Sequence, residues 1–480
     1  MGANRKRLLK RGEQLELIIK DMAFGGVGIA DLETEEGNFK VFVQNTIPGQ
    51  KVLARVVKSK RRHAECKLDE VIEESPNERE VPFQAIPGAP YARLPINLQQ
   101  EFKQKTTFEL FKRIGGIGEI EALFDTYIAS PQDWHYRNKM EYSFSVIRFD
   151  LDLKEEHDDF GLGFKHRGTW WAVENLDGDS GFFDEELESK LKDLRLWFEN
   201  TGLPAWHPPK REGFFRFFVV RKSRRTNELL FNLVTTSDGL KNFDVPGFVA
   251  KCQDLWGDRI AGILHSINDD KGERVQSNEG SSTLVFGRET INESINGLDF
   301  EVSMGSFFQT NPASAERLYD KAIEYAGDLN QHEGVIMDLF CGTGTITQLL
   351  ARGIKRDVIG VDIVESAIED AKANALRNGI ENVKFHAADV GKFLNEFPEY
   401  QGKISTIVLD PPRGGIAPKT LRKVIAIDAP RMVYISCNPA TQARDTETLI
   451  ENGYQLVKWS LVDQFPHTSH VECVALFEKK

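Results

Sequence analysis

The chain changes its hydrophobic rhythm three times, and each change marks a different kind of element. From about 15 to 68, apolar and polar positions alternate in short runs, LELIIKDM, KVFVQN and KVLARVVKSK, broken by the turns AFGGVGIA and TIPGQ. Period two in runs this short predicts strands, about five of them, closing into a small barrel. The stretch VIEESPNEREVPFQAIPGAPYARLPINLQQ is rich in proline and acid and reads as a linker, and EFKQKTTFELFKRIGG reads as an amphipathic helix. Strand-like runs then return in NKMEYSFSVIRF, GLGFKH, GTWWAVE, GFFRFFVVRKSR, ELLFNLVTT, GILHSIN and TLVFG, with a helix near 184–199. That pattern predicts a mostly antiparallel β region.

From MGSFFQTN onward the rhythm changes again. A helix starts near Ala313, and strands near 335–340, 357–363, 383–389, 405–410 and 431–437 alternate with helical spacing before the pair YQLVKWSLVDQF and HVECVALFEK. Such alternation predicts an α/β fold with an open, mostly parallel sheet. The resulting division is 1–72 for the barrel, 73–124 for linker and helix, 125–305 for the central β region and 306–480 for the α/β domain.

Within that last domain, VIMDLFCGTGTITQLL reads as strand, glycine turn and helix. Gly342 and Gly344 allow a ligand to approach the backbone, and the helix start offers unpaired N–H groups. A dinucleotide fingerprint requires a third glycine where this chain has Thr347, and no P-loop lysine follows. Acids nevertheless end three successive strands, at Asp338, Asp362 and Asp389. The order acid, glycine loop, acid, acid resembles the S-adenosylmethionine site of class I methyltransferases. The resemblance implies a seven-stranded Rossmann-like sheet with S-adenosyl-L-methionine held by Asp338, Phe340, Gly342, Gly344, Asp362 and Asp389, with Gln309 and Asp410 beside it.

Composition refines the picture in three respects. A length of 480 residues accommodates two to four domains. The basic start MGANRKRLLKRGE is followed by no apolar run, so neither signal peptide nor membrane helix is expected, and a cytoplasmic monomer fits best. Cys66, Cys252, Cys341, Cys437 and Cys473 are odd in number and scattered, which argues against both disulfides and a metal knuckle. The net charge of −12 alone argues against a nucleic-acid partner, but residues 1–70 hold 14 Lys and Arg against 10 Asp and Glu. Lys51, Arg55, Lys58, Lys60, Arg61 and Arg62 cluster at the last barrel strand, where Lys58 and Arg61 can meet phosphates. This front, with Gly25, Gly26, Gly28 and the PGQ turn, is similar to the TRAM domain, an OB-like module of RNA-modifying enzymes.

Two motifs end the fourth and fifth strands of the α/β domain: IVLDPPRGGI, with Asp410 and Arg413, and MVYISCNPAT, with Cys437. Ligands of open α/β sheets bind at the carboxyl ends of parallel strands, and an antiparallel last strand begins at that same rim, so HTSHVE brings Glu472 towards Cys437. A thiol and a carboxylate around a methyl donor suit methylation of uracil carbon 5. A thiolate adding to carbon 6 makes carbon 5 nucleophilic, and a base then removes the carbon 5 proton. Asp410 and Gln309 can hydrogen-bond the pyrimidine edge, and Arg413 can orient the site or meet a phosphate. Alone, a strand-end cysteine is ordinarily a small buried hydrophobe. Cys341 and Cys473 are read that way, and His467 and His470 as holding the rim loop.

FFQTN, DLFCGTGT, DPPRGG, YISCNPATQARD and FPHTSHVE, in that order, resemble the RNA uridine-5-methyltransferase family. The resemblance implies Cys437 as nucleophile, Glu472 as base and RNA as substrate, ribosomal RNA by the TRAM-like front or transfer RNA as the alternative. HYRNKMEYSF resembles a phrase in the same enzymes, which makes Arg137, Asn138 and Lys139 candidate RNA contacts. Trp170, Trp171 and FFRFFVV are read as core. Two departures stand out: Asp362 replaces the usual Glu, and the four cysteines that bind an iron–sulfur cluster in many relatives are absent, since no cysteine lies between Cys66 and Cys252. No iron–sulfur cluster or other metal is therefore expected. A cytosine-5 enzyme would carry a second cysteine where this chain has DPPR, and a non-catalytic RNA binder would lack the thiol or the carboxylate.

Overall fold

The computed structural model describes residues 8–34, 37–277, 279–330 and 333–480. Most of the basic start, residues 1–7, therefore lies outside the described residues. The N-terminal strands form one six-stranded sheet in the order Gln14–Ile18, Lys51–Ser59, His63–Glu73, Gly37–Gln44, Val27–Thr34, Asp21–Ala23. The strand His63–Glu73 is the one beyond the expected five; its Ala64 and Cys66 alternate inward to join Val41, Val43, Val52 and Ala54 in the core.

The helix after the linker spans Ile96–Arg113, so INLQQ, assigned to the linker from sequence, is its first turn. Pro95, at φ −53°, sets the entry. The buried face of this helix is largely polar, consisting of Gln99, Lys103, Thr106 and Thr107 with Phe111. No amphipathic pattern announces such a face.

The central sheet has seven strands in the order Val173–Asn175, Glu155–Lys165, Lys139–Asp150, Phe215–Lys222, Leu229–Thr235, Ile260–Ile267, Ser281–Gly287. One neighbouring pair, Leu229–Thr235 with Ile260–Ile267, is parallel. It is joined by the helix Val245–Trp256, missed from sequence, which Asp244 caps by accepting from Gly247 N–H at 3.0 Å. The helix expected near 184–199 appears as Glu185–Ser189 and Leu191–Asn200, capped by Asp184. FFRFFVV is core as expected, but Trp170 is 50 % exposed and Trp171 only half-buried, so the tryptophan pair is not. It sits at the turn after Lys165 rather than on an inward strand position.

The catalytic sheet runs Val383–Ala387, Val358–Asp362, Val335–Leu339, Ile404–Leu409, Arg431–Ser436, Glu472–Lys479, Tyr454–Val462, Phe124–Ile128, eight strands instead of seven. Only Glu472–Lys479 is antiparallel to its neighbours. The added edge strand Phe124–Ile128 belongs by sequence to the central region, yet it pairs in parallel with Tyr454–Val462. Phe124 packs on Trp459 with ring centroids 5.0 Å apart, so burying aromatic surface at an otherwise open edge determines which sheet it joins. The hairpin Thr290–Ile295 with Leu298–Ser303 packs Ile291, Ile295 and Phe300 in the same apolar core as Leu318, Ile336 and Leu349. Phe217, Val219 and Leu230 of the central sheet belong to that core as well, so it spans both sheets.

Candidate active site

Local backbone geometry explains the glycine loop. Phe340 takes the left-handed conformation at φ 67°, followed by Gly342 at 52° and Gly344 at 78°. The N–H groups of Phe340 and Cys341 both reach Val361 O, at 2.9 and 3.1 Å. Gly342 N–H donates to Asp362 Oδ2 at 3.0 Å, and Val364 N–H to Oδ1 at 2.9 Å. Asp362 therefore holds the loop through both carboxylate oxygens. The two glycines differ. A Cβ at Gly344 would stand 2.8 Å from the Phe385 ring and 2.9 Å from Ala371 Cβ, whereas one at Gly342 would meet nothing within 4 Å. Packing requires Gly344; the open space lies at Gly342.

Asp338 is fully buried, and burial pushes its carboxyl up to about 7. Its Oδ2 accepts from Thr347 Oγ1 at 2.6 Å, while Oδ1 is buried without a hydrogen-bond partner. An orphaned carboxylate oxygen beside a loop with room for a ligand suits a cationic cofactor such as S-adenosylmethionine. Asp389 is half-buried just past the third strand; among the described residues no hydrogen bond engages its carboxylate. Ala388 N–H bonds Asp362 O at 2.8 Å, which ties these two strand ends together.

At the facing rim, Ser436 pairs with Cys473 in antiparallel register, so Cys437 and Glu472 are the next positions across the same pair of strands. Glu472 is buried, and burial, reinforced by the Asp410 carboxylate, raises its carboxyl well above the usual range. Cys437 is half-buried; burial and then the Glu472 and Asp410 charges push its thiol up to about 12, with Arg413 acting the other way. Burial alone pushes Asp410 up to about 7. Thiol and carboxyls thus form one electrostatically coupled group.

Gln309 is buried, its carbonyl held by Asn138 Nδ2 at 3.1 Å and its Oε1 facing Gln464 Nε2 at 3.4 Å. Asn138, a candidate RNA contact from sequence, is itself buried, and it braces Gln309 instead. Sequence reasoning also missed Tyr319, a buried residue whose hydroxyl is influenced by Gln309 and by the charges of Asp410, Glu472 and Asp338, with burial pushing it well above the ordinary tyrosine range. A lone tyrosine on an apolar helix face was the only signal.

Arg137 and Lys139 line a cleft of about 580 Å³ with Phe307, Phe308, Thr310 and Thr468, so they open onto the Gln309 side of the site. A second cleft, of about 400 Å³, is shared by Gly25, Gly26 and Asn45 of the barrel, Arg167 of the central region, and Arg413, Ser469 and His470 of the rim. Arg413 is exposed, with Nη2 3.3 Å from His470 Nδ1. Lys58 and Arg61 are exposed but line neither cleft; the barrel meets the site through its glycine turn instead. Among the described residues, no group of three or more His, Cys, Asp or Glu side chains could hold a metal ion, and no helix is long and apolar enough to cross a membrane.

The sheet order, the glycine loop and the acids at its rim define a class I methyltransferase. Comparison with known proteins narrows this. The model of the tRNA (Uracil-5-)-methyltransferase family matches residues 274–480. A Clostridium acetobutylicum protein named as an uncharacterized RNA methyltransferase is 37 % identical over 99 % of this chain and 99 % of its own length. A Caldanaerobacter subterraneus subsp. tengcongensis protein of the same description is 36 % identical over 98 % of this chain and 100 % of its own. The crystal structure of Pyrococcus abyssi tRNA (uracil-54, C5)-methyltransferase with S-adenosyl-L-homocysteine superposes with a TM-score of 0.67 at 26 % identity, covering 96 % of this chain and 100 % of that one. The chain belongs to the RNA uracil-5-methyltransferase family and is an S-adenosylmethionine-dependent RNA methyltransferase.

Proposed function

We propose that this enzyme methylates carbon 5 of a uridine in RNA, with Cys437 as nucleophile and Glu472 as base. The observation that carries the reading is the register that sets Cys437 opposite Glu472 beside Asp410. Asp338, Gly342, Asp362 and Asp389 would hold S-adenosylmethionine, which supplies an electrophilic methyl group. Cys437 forms a bond to carbon 6 as its thiol proton passes to water, and the electron pair of the 5,6 double bond passes to the carbonyl as an enolate. Asp410, protonated at a fraction set by its raised pKa, and Gln309 donate hydrogen bonds to the developing oxyanion. After methylation, Glu472 accepts the carbon 5 proton; the electrons of that C–H bond restore the double bond and the Cys437 sulfur leaves. Burial raises the proton affinity of Glu472, which favours this transfer when the carboxyl is ionised.

Ribosomal RNA is the target we infer from the barrel beside the rim, and transfer RNA is the second reading, favoured by the name of the Pyrococcus abyssi neighbour. Incubation with methyl-labelled S-adenosylmethionine and total RNA from a deletion strain tests both the chemistry and the target. Glu472→Gln should accumulate a slow-migrating protein–RNA band carrying label, and Cys437→Ala should form none. Normal turnover by both variants, with no trapped RNA, would refute the mechanism. Sequencing the labelled RNA tells which target is right.

A further inference from the structure

Asp463 follows Val462, and Val462 is the residue paired directly with Glu472. The connection 463–471 therefore begins and ends beside Glu472. Lys103, from the helix Ile96–Arg113 outside the α/β domain, reaches Asp463 Oδ1 at 2.7 Å and Phe465 O at 2.9 Å. The two side chains are 1 % and 0 % exposed. Gln99, one turn earlier, accepts from His467 N–H at 2.8 Å and faces the ring Nδ1 at 3.0 Å. Trp134 stacks on that ring at 3.6 Å, and Tyr136 O–H donates to Pro466 O at 3.0 Å. His467 sits at φ 64°, a conformation that persists only where surroundings impose it.

The opposite side of the same connection faces the cofactor region. Ser314 Oγ donates to Asp463 O at 3.0 Å, Asn311 Nδ2 to Gln464 O at 3.2 Å, and Gln464 Nε2 reaches Asn311 O at 3.0 Å and Gln309 Oε1 at 3.4 Å. One short segment thus joins Lys103, Gln309 and Glu472.

We propose that the buried Lys103–Asp463 ion pair is a positioning device that holds Glu472 in register for the proton-removal half of the reaction. The proposal rests on the reading of Glu472 as base. A buried ion pair is weak evidence of stability, because desolvating two charges offsets most of their attraction and an apolar pair of similar volume is often as stable. Its directional bonds to Asp463 and Phe465 fix the segment at a point where an apolar helix face would let it slide. Among the described residues, Asp133 is a further carboxylate whose charge acts on Lys103, and no described hydrogen bond joins them. Lys103 and Asp463 are positioning residues, since they act through Glu472.

The test is the double variant Lys103→Met with Asp463→Leu, assayed with methyl-labelled S-adenosylmethionine and total RNA from a deletion strain. Its melting temperature should stay near that of the parent, while kcat falls about 10- to 100-fold, as displacement of a catalytic group by about 1 Å costs. KM for S-adenosylmethionine should move much less than kcat, and labelled protein–RNA adduct should accumulate because release is the impaired step. A merely structural pair predicts the reverse, a lower melting temperature with normal turnover per folded molecule and no adduct, and that result overturns the proposal. If the double variant does not fold, Asp463→Asn, which keeps an acceptor for Lys103 but leaves its buried charge unpaired and so lowers the melting temperature under either reading, is judged on turnover per folded molecule and labelled adduct alone. Glu472→Gln run in parallel separates the two levels. Adduct there with normal turnover in the double variant defeats only the positioning role, and no adduct there defeats the reading of Glu472 and this proposal with it.

Discussion

Gly342 N–H donates to the Asp362 carboxylate at 3.0 Å, and that bond makes the second acidic strand end part of the glycine loop itself. The other oxygen of Asp362 is engaged by Val364 N–H at 2.9 Å, so the carboxylate bridges the loop and the start of the next helix. Asp362→Ala should therefore weaken S-adenosylmethionine binding twice over, by removing an acceptor for the ligand and by releasing the loop. Losing charge-assisted hydrogen bonds of this kind costs about 1.5–3 kcal/mol, roughly 10- to 100-fold in affinity. Calorimetric titration with S-adenosylmethionine measures it; unchanged affinity would remove Asp362 from the site.

The two loop glycines should fail differently. Gly344→Ala places a methyl 2.8 Å from the Phe385 ring at φ 78°, so it should destabilise the α/β domain, by about 1–3 kcal/mol for an overpacked core. Gly342→Ala meets open space and bears only the left-handed strain of about 1–2 kcal/mol, while its methyl intrudes where a ligand would approach. Thermal melts with and without S-adenosylmethionine should show a lowered apo melting temperature chiefly in the first and a diminished ligand-induced rise chiefly in the second.

Cys437 should react slowly with iodoacetamide in the cofactor-free enzyme, because its thiol is pushed up to about 12 and the thiolate is the nucleophile. Below that value thiolate rises about tenfold per pH unit, so the rate should climb steadily from pH 7 to 9 without a plateau. Asp410→Asn removes a nearby negative charge and should speed alkylation; Arg413→Ala removes the opposing cation and should slow it. Mass spectrometry of the Cys437 peptide reads all three. A rate that bends over near pH 8.5 and levels off by about pH 9.5 would show an ordinary thiol.

Purified enzyme should carry neither iron nor acid-labile sulfide, since the five cysteines are scattered through the sequence. A metal and sulfide assay decides, and stoichiometric iron would point to ligands other than a cysteine cluster.

The sequence by itself determined the parts of this protein whose signals are local. Alternation of strand and helix from Val335 onward, the Gly342 turn, and the acids at strand ends follow from backbone periodicity and from the need of each turn for particular residues. The antiparallel last strand, and with it the approach of Glu472 to Cys437, was legible because strand direction alone sets which rim a residue occupies. Tertiary structure decided what depends on distant partners. Phe124–Ile128 joined the catalytic sheet because Trp459 offered aromatic surface there, and Asn138 turned inward because Gln309 needed a donor. Lys103 looks like any charged residue on a helix until Asp463, 360 positions away, is brought against it in a place without water. Burial of a charge is a property of the neighbours it acquires, and no pattern within a single helix encodes who they are.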